Sequence, residues 1–305
     1  MSCFNSVDSS RYSSQPDRNI EIDTKRNVES FLNACHQGDL ETLRQTLSSI
    51  GFDQNGKPTL NENSHGNIIQ QGCDIAAGHN QAPILDYLFE HHGAELTPHI
   101  YYHTTWKPRV AIFEVLLKHG MDPNMKFVER ETVLLSVMHN EEIVRLLLAH
   151  GADPSIAPPY SSQYDLRTPW PKKPLNCAAR KSTELFDLLI AHGAKLEESL
   201  PLHGAVWGDA DDGGERIPMM KHILELGVDI NQLDEVRSMR ARGTALHHAV
   251  ILKRTKTVEF LLDNGADPRV ESGCCAYALH KATALQLAEG STPEISRMIR
   301  DHARP

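Results

Sequence analysis

The stretch Ala149-His150-Gly151-Ala152-Asp153-Pro154 follows an apolar run and recurs, with substitutions, along most of this 305-residue chain. Counted from Gly93, successive glycines of the recurring phrase are 27, 31, 42, 34 and 38 residues apart. A looser copy, Gly51-Phe52-Asp53, lies 42 residues before Gly93. Repetition at this spacing indicates an array of similar modules. The other clear copies are Glu90-His91-His92-Gly93-Ala94-Glu95, Lys118-His119-Gly120-Met121-Asp122-Pro123, Ala191-His192-Gly193-Ala194-Lys195, Glu225-Leu226-Gly227-Val228-Asp229 and Asp263-Asn264-Gly265-Ala266-Asp267-Pro268.

Each copy of the phrase closes an amphipathic helix. In residues 142–150, for example, Ile143, Leu146 and Leu147 stand at positions i, i+3 and i+4 of an apolar stripe. The glycine that follows tolerates the left-handed backbone that ends a helix, and Asp-Pro then leads the chain away in a turn. The predicted helices cover residues 39–48, 82–91, 110–119, 142–150, 184–192, 218–226, 257–263 and 293–302.

A shorter helical signal precedes each stripe. Its clearest copy is Gly243-Thr244-Ala245-Leu246-His247-His248-Ala249-Val250, in which Thr244 can cap the first turn. Small residues at Ala178, Ala205, Ala249 and Ala288 allow the paired helices to approach closely. Further copies lie at residues 132–137, 173–178, 200–205 and 283–288, and weaker signals predict first helices near residues 68–77 and 98–103.

These helix pairs resemble ankyrin repeats, whose consensus contains a Thr-Pro-Leu-His-x-Ala phrase and a Gly-Ala-Asp ending. The resemblance covers residues 27 to 302, although the second and third units lack the first phrase. It implies an all-α ankyrin repeat solenoid of about eight stacked helix-turn-helix units with β-hairpin or loop fingers. It also marks His203 and His247 as a structural hydrogen-bonding position. The predicted domain layout is a disordered Ser-rich tail at residues 1–26 and a repeat array at 27–305 with a long loop insertion at 152–172.

Composition narrows the classes of partner. The net charge is −9, which disfavours the phosphate contacts of direct nucleic-acid binding. No apolar run is long enough to span a bilayer, and the first residues show no secretory signal. Six scattered cysteines without a C-x-x-C pair predict reduced thiols and an intracellular chain, cytoplasmic or nuclear. We expect a monomer that binds a protein, without a membrane.

Two segments imitate ligand-binding motifs. Residues 51–58 match the Gly-x4-Gly-Lys half of a phosphate-binding loop, but Pro58 occupies the position of the Ser or Thr that binds magnesium. Residues 209–215 resemble a calcium loop, but Gly213 and Met220 stand where oxygen ligands are needed. The sequence therefore predicts no cofactor. It favours a repeat finger at residues 51–58 and a solvated acidic loop at residues 209–215.

The seventeen histidines do not form a ligand pattern. Four of them, His92, His119, His150 and His192, recur just before a capping glycine, where an imidazole can bond the last helical carbonyls. No Cys/His spacing of a zinc site and no catalytic motif appears. We therefore expect no metal site and no enzyme activity. The alternative is an enzyme or ligand-binding protein with a site built on the 152–172 insertion.

Two loops exceed what the repeat core needs. The insertion carries residues typical of protein interfaces, Tyr160, Tyr164, Arg167, Trp170 and Lys172. An equally good alternative is that its aromatic side chains pack on neighbouring repeats.

The second loop carries Arg237, Arg240 and Arg242, a positive patch in an acidic chain. The alternative to a partner-binding patch, which the sequence slightly favours, is a solvated loop whose positive charge is balanced by Asp234 and Glu235. If both loops face one groove, they suit an acidic partner segment. The sequence thus predicts a non-enzymatic interaction scaffold, an adaptor or a transcription co-regulator acting through its partner.

Overall fold

The computed structural model describes residues 18–50, 68–126, 132–156, 173–208, 215–234, 243–272 and 282–303. These residues hold sixteen α-helices and two isolated antiparallel β-bridges, and no longer strand. The chain divides into two compact units, Met1–Lys107 and Pro108–Pro305. Among the described residues, no helix combines the length and the apolar composition that crossing a membrane requires.

The first unit contains two helix pairs and one further helix. The predicted second helices and the weaker first-helix signals at 68–77 and 98–103 are confirmed. The first helix begins inside the segment 1–26 that the sequence assigned to a tail, and residues 1–17 lie outside the described residues. The helices are α1 (Arg18–Gln37), α2 (Leu40–Ile50), α3 (Ile68–Gly78), α4 (Ala82–His92) and α5 (Pro98–Trp106).

The second unit continues the same alternation of first and second helices. Each predicted second helix lies within two residues of its observed bounds, and the all-α fold is confirmed. The helices are α6 (Val110–Lys118), α7 (Val133–Ser136), α8 (Glu141–Ala149), α9 (Pro174–Ala178), α10 (Thr183–Ala191), α11 (Pro201–Trp207), α12 (Ile217–Glu225), α13 (Ala245–Ile251), α14 (Thr255–Asp263), α15 (Ala284–Ala288) and α16 (Pro293–His302).

The recurring glycine ends the second helix as the sequence predicted. Gly265, for example, has a φ of 93°, in the left-handed region that a side chain rarely adopts. Just before the glycine, the imidazole of His150 bonds Leu146 O from Nδ1 at 2.9 Å, and His192 bonds Leu188 O in the same way. Five other glycines in this position also have positive φ: Gly93, Gly120, Gly151, Gly193 and Gly227.

The core of each unit lies between adjacent helix pairs. The four small residues predicted at the helix contact, Ala178, Ala205, Ala249 and Ala288, are fully buried. The contact between α9 and α11 is tighter still, because a β-carbon at Gly204 would lie 2.4 Å from the carbonyl oxygen of Asn176. This close approach places buried polar side chains of one repeat within hydrogen-bonding distance of the next.

Asparagines join consecutive loops in the second unit. Asn124 donates from Nδ2 to Gly151 O at 3.0 Å and accepts from Asp153 N at Oδ1 at 2.7 Å. Asn231 accepts from Asp267 N at 2.9 Å in the same manner. The aspartates of the Gly-Ala-Asp ending also hold their own turns, since Asp267 Oδ1 accepts from Arg269 N at 2.8 Å.

Two neighbouring charged residues, Glu215 and Arg216, also join consecutive repeats of the second unit. Glu215 accepts from the backbone N–H groups of Lys256 and Thr257, in the first turn of α14. The guanidinium of Arg216 donates in the other direction along the array, to Lys181 O. Glu215 was predicted to belong to a solvated acidic loop. It is instead a half-buried cap on the following repeat, while residues 209–214 lie outside the described residues.

Candidate partner-binding site

The residues that the sequence singled out for partner binding lie in loops outside the described residues. The same is true of the phosphate-loop half-motif at residues 51–58. The structure does describe Asp234 and Gly243, the residues on either side of the segment that holds the three arginines. The undescribed residues are Tyr160, Tyr164, Arg167, Trp170 and Lys172 in segment 157–172, and Arg237, Arg240 and Arg242 in segment 235–242.

Asp234 and Gly243 bring together the two ends of segment 235–242. The N–H of Asp234 donates to Gly243 O at 3.1 Å, and the N–H of Gly243 donates to Asp234 Oδ1 at 2.5 Å. Asp234 has no exposed surface. Segment 235–242, which contains Arg237, Arg240 and Arg242, is therefore flanked by two residues that bond each other. We call this pair, Asp234 and Gly243, the finger base.

His248 on α13 occupies the second oxygen of the same carboxylate. Its Nε2 lies 3.1 Å from Asp234 Oδ2, and the two side chains are 2% and 0% exposed. A buried carboxylate is strongly destabilising unless hydrogen bonds or a countercharge satisfy it. Hydrogen bonds satisfy Asp234, because one oxygen accepts from the Gly243 N–H and the other lies 3.1 Å from the His248 imidazole. The sequence interpretation of Asp234 as part of a solvated, self-balanced loop is wrong.

His203 on α11 reaches the finger base from the preceding repeat. Its Nε2 donates to Gly243 O at 3.0 Å, so the carbonyl that pairs with the Asp234 N–H also receives the imidazole. Burial lowers the pKa of His203 to about 4, and the neighbouring His248 contributes to the lowering. The imidazole is therefore neutral near pH 7. Its Nδ1 is buried without a hydrogen-bond partner in the described part of the chain.

Aromatic rings enclose this polar cluster. The ring of His248 stands edge-on to His203, with centroids 5.4 Å apart, and to Trp207, with centroids 5.9 Å apart. All three side chains come from the facing helices α11 and α13. Asp234, His203 and His248 are all buried, which strengthens the hydrogen bonds at the finger base and penalises a charge on the His203 imidazole.

His247 repeats the arrangement one repeat later. Its Nε2 donates to Ala282 O at 3.2 Å, and its Nδ1 accepts from the Thr244 N–H at 3.1 Å. Ala282 O also accepts from the N–H and the hydroxyl of Ser272, at 2.9 and 2.6 Å, and so closes the base of segment 273–281. Burial is the main cause that lowers the pKa of His247 to about 4.

The structural hydrogen-bonding position implied for His203 and His247 is confirmed, but sequence reasoning missed the pair of Asp234 and His248. The two residues are 14 positions apart, and the repeated phrase that contains His248 gives no signal that pairs it with Asp234. Apart from His203 Nδ1, the groups of this cluster bond to backbone or to each other. The arrangement can therefore hold the ends of segments 235–242 and 273–281 in place.

A shallow cavity of about 410 Å³ lies on the last described repeat. Ser296 on α16 is buried, and its hydroxyl donates to Ala288 O. The cavity is lined by Glu289, Ser291, Pro293, Ser296, Arg297, Arg300 and Asp301.

Comparisons with known proteins agree with the repeated geometry. The family model described as ankyrin repeat matches residues 243–272, which span α13, α14 and the start of the next finger. Two curated relatives, both called ankyrin repeat and SOCS box protein 6, from Pongo abelii and Homo sapiens, are 29% identical over 129 residues. That match covers 40% of this chain and only 28% of each relative.

Among solved structures, the human ASB11 ankyrin repeat domain aligns with a TM-score of 0.44 at 17% identity. The alignment covers 90% of this chain and 98% of that one.

Proposed function

Because the chain is an ankyrin repeat protein, we propose that it is a non-enzymatic scaffold that binds another protein through its fingers. The observation that carries the proposal is the finger base. A loop with three arginines starts and ends at a buried carboxylate that is held by the Gly243 N–H and by His248. Fixing the ends of a loop lowers the conformational entropy that the loop loses on binding. We therefore expect segment 235–242 to bind a partner at a lower entropic cost than a loop with free ends.

The chemistry of the finger favours an acidic partner segment. Arg237, Arg240 and Arg242 offer planar guanidinium groups that suit carboxylates. The aromatic insertion, with Tyr160, Tyr164 and Trp170, supplies the kind of side chain that dominates interface energies. We propose that both loops contribute to one interface, and that the chain binds its partner as a monomer.

The finer role that we propose is that of an adaptor or a transcription co-regulator in the cytoplasm or the nucleus. The curated relatives support an adaptor, since their name joins ankyrin repeats to a second module, a SOCS box. The net charge of −9 supports an influence on transcription only through a bound partner rather than through direct contact with DNA.

Affinity purification from the native cell, followed by mass spectrometry, is the first test. A protein recovered in stoichiometric amount supports the scaffold. Turnover of a metabolite by the purified chain would instead support an enzyme built on the 152–172 insertion.

Charge reversal then tests the finger itself. The variant Arg237→Glu/Arg240→Glu/Arg242→Glu should lower the association rate with the recovered partner about tenfold or more at low salt, because electrostatic steering acts mainly on association. It should also flatten the salt dependence of that rate. The matched control reverses two exposed arginines on α16, Arg297→Glu/Arg300→Glu. Equal rates for the finger variant and the wild type would remove the arginine finger from the interface.

A further inference from the structure

A row of basic side chains crosses the ends of the first helices in the first unit. His36 lies in the last turn of α1, His79 follows α3, and His103 lies in the last turn of α5, followed by Lys107. All four side chains are exposed. We call this row the histidine edge (His36, His79, His103 and Lys107).

The four residues form one continuous surface. The rings of His36 and His79 are in contact, with centroids 3.9 Å apart at an interplanar angle of 48°. His103 lies against the end of α3, because a β-carbon built on Gly78 would stand 4.0 Å from its Nδ1. Burial lowers the pKa of His79, and the positive charges of His36, Lys107 and His103 lower it further. Protonation of His79 is thus opposed by the charges of its neighbours.

Two carboxylates lie near this edge: Asp39 is bonded to Thr42, and Asp74 has one oxygen, Oδ1, that is buried without a hydrogen-bond partner in the described part of the chain. Asp39, close to His36 in the chain, accepts from the Thr42 N–H at 3.0 Å and from the Thr42 hydroxyl at 2.6 Å. Asp74 on α3 is half-buried and has an oxygen that is sealed from solvent. Burial raises the pKa of Asp74, whereas His103 and His99 on α5 lower it. The four members of the edge are thus all basic, and the exposed carboxylate of Asp39 is hydrogen-bonded to Thr42.

One aromatic side chain adjoins the edge. Tyr102 is 61% exposed, the highest value among the large apolar side chains of the described residues, and its ring stands edge-on to His103 at 5.8 Å. An exposed tyrosine beside a cationic row is typical of a protein interface, since tyrosine adds contact area at a low entropic cost.

We propose that the histidine edge, with Tyr102, is a docking surface for an acidic segment of a partner polypeptide, which it binds more tightly at mildly acidic pH. A partner carboxylate placed beside His79 offsets the repulsion that opposes protonation of that ring. Binding must then take up protons, by linkage. The net charge of −9 disfavours a nucleic acid as the occupant. The proposal shares with the scaffold function only the expectation of a polypeptide partner, because the arginine finger lies in the other unit.

The test uses the full chain and a fluorescein-labelled peptide of eight aspartates, with an eight-asparagine peptide as the neutral control. An unperturbed histidine is about 10% protonated at pH 7.4 and about 80% protonated at pH 5.8. We expect the dissociation constant, measured by fluorescence anisotropy, to fall about tenfold between these pH values. We also expect NMR titration to show a higher pKa for the His79 ring when the aspartate peptide is bound.

Variants assign the effect to the edge. His36→Gln/His79→Gln/His103→Gln should reduce the pH effect to less than about twofold, since exposed side chains can be replaced without loss of the fold. The control His91→Gln/His139→Gln, which removes two other exposed histidines, should retain it. The arginine finger variant should also retain the fall in the dissociation constant between pH 7.4 and 5.8. This result would show whether the histidine edge binds the peptide independently of the arginine finger.

Three results would overturn the proposal. They are the absence of peptide binding at pH 5.8, an unchanged pH effect in the triple histidine variant, and tighter binding of a labelled octathymidylate than of the aspartate peptide. The last result would assign the edge to nucleic acid.

Discussion

The imidazole of His247 donates from Nε2 to the carbonyl oxygen of Ala282, 35 residues further along the chain, at 3.2 Å. His203 makes the same bond to Gly243 at 3.0 Å. Ala282 and Gly243 hold the same place, one residue before the N-cap of the following first helix. In each of these two repeats, one histidine therefore bonds the backbone of the next repeat just before its first helix begins.

Truncation of such a histidine should be far more destabilising than truncation of a histidine at a helix end. His247→Ala leaves the buried Ala282 O with one donor fewer and opens a cavity, so we expect a loss of about 2–4 kcal/mol of unfolding free energy. The matched control is His150→Ala, whose exposed ring bonds only a carbonyl of its own helix. It should lose less than about 1 kcal/mol. Urea unfolding followed by circular dichroism measures both, and equal losses would contradict the inter-repeat role.

The same histidines should make stability fall in mild acid. Their folded pKa values, about 4, lie below the ordinary value of 6.5. Between these values the unfolded chain binds more protons, so stability present above pH 6.5 is lost as the pH falls toward 4. Each site should lose about 1.4 kcal/mol between pH 7.5 and pH 5.5.

The variant His247→Gln isolates one of these sites. Glutamine already occupies the equivalent position as Gln286, in a capping box with Thr283. The loss between pH 7.5 and pH 5.5 should therefore shrink by about 1.4 kcal/mol relative to the wild type. If this variant loses as much unfolding free energy as the wild type between pH 7.5 and pH 5.5, groups other than His247 cause the loss. The control His139→Gln, at an exposed site, should keep the full slope.

Removal of the Glu215 carboxylate should loosen the start of α14. Glu215 accepts from two N–H groups in the first turn of that helix, where a negative charge also suits the helix dipole. We expect Glu215→Ala to lose about 1 kcal/mol of unfolding free energy and to increase amide hydrogen exchange at Lys256 and Thr257. The control Glu225→Ala removes an exposed partner of Lys221, at 3.9 Å, and should be nearly neutral. Unchanged exchange at both amides would rule out the cap.

A side chain at a capping glycine should strain the end of the second helix. At Gly265 the φ of 93° is unfavourable for alanine, so Gly265→Ala should lower the unfolding free energy by about 1–2 kcal/mol. Nothing lies within 4 Å of the added β-carbon, so the backbone alone is tested. At Gly290 the added carbon would meet only Leu287 O, at 3.8 Å, and no positive φ is present. If both alanine variants are equally stable, the left-handed conformation is not required.

The helices could be predicted closely because their signals are local. The apolar stripe of α8, with Ile143, Leu146 and Leu147, and the glycine after it depend only on neighbours three or four residues away. The same locality explains why His150 and His192 were assigned correctly to helix ends. The small residues at Ala205 and Ala249 follow from the need for close helix packing, which every two-helix module shares.

The contacts between repeats could not be read in the same way. Glu215 looked like one member of an acidic loop, and only the packed neighbour shows that its carboxylate meets the N-terminus of α14. Gly204 gave no sequence signal, although the chain at Asn176 leaves no room for a side chain there. Such effects depend on residues that are tens of positions apart.

The sequence by itself determined the period, the helices and the glycine ends, because hydrophobic spacing and backbone preference are properties of short segments. Only the tertiary structure decided which polar groups are buried together. Asp234 is acceptable in the interior because the Gly243 N–H and His248 are brought to its two oxygens. His36 and His79 meet because α1 and α3 pack side by side. The free energy of a charge depends on what surrounds it, and the surroundings exist only after the repeats have stacked.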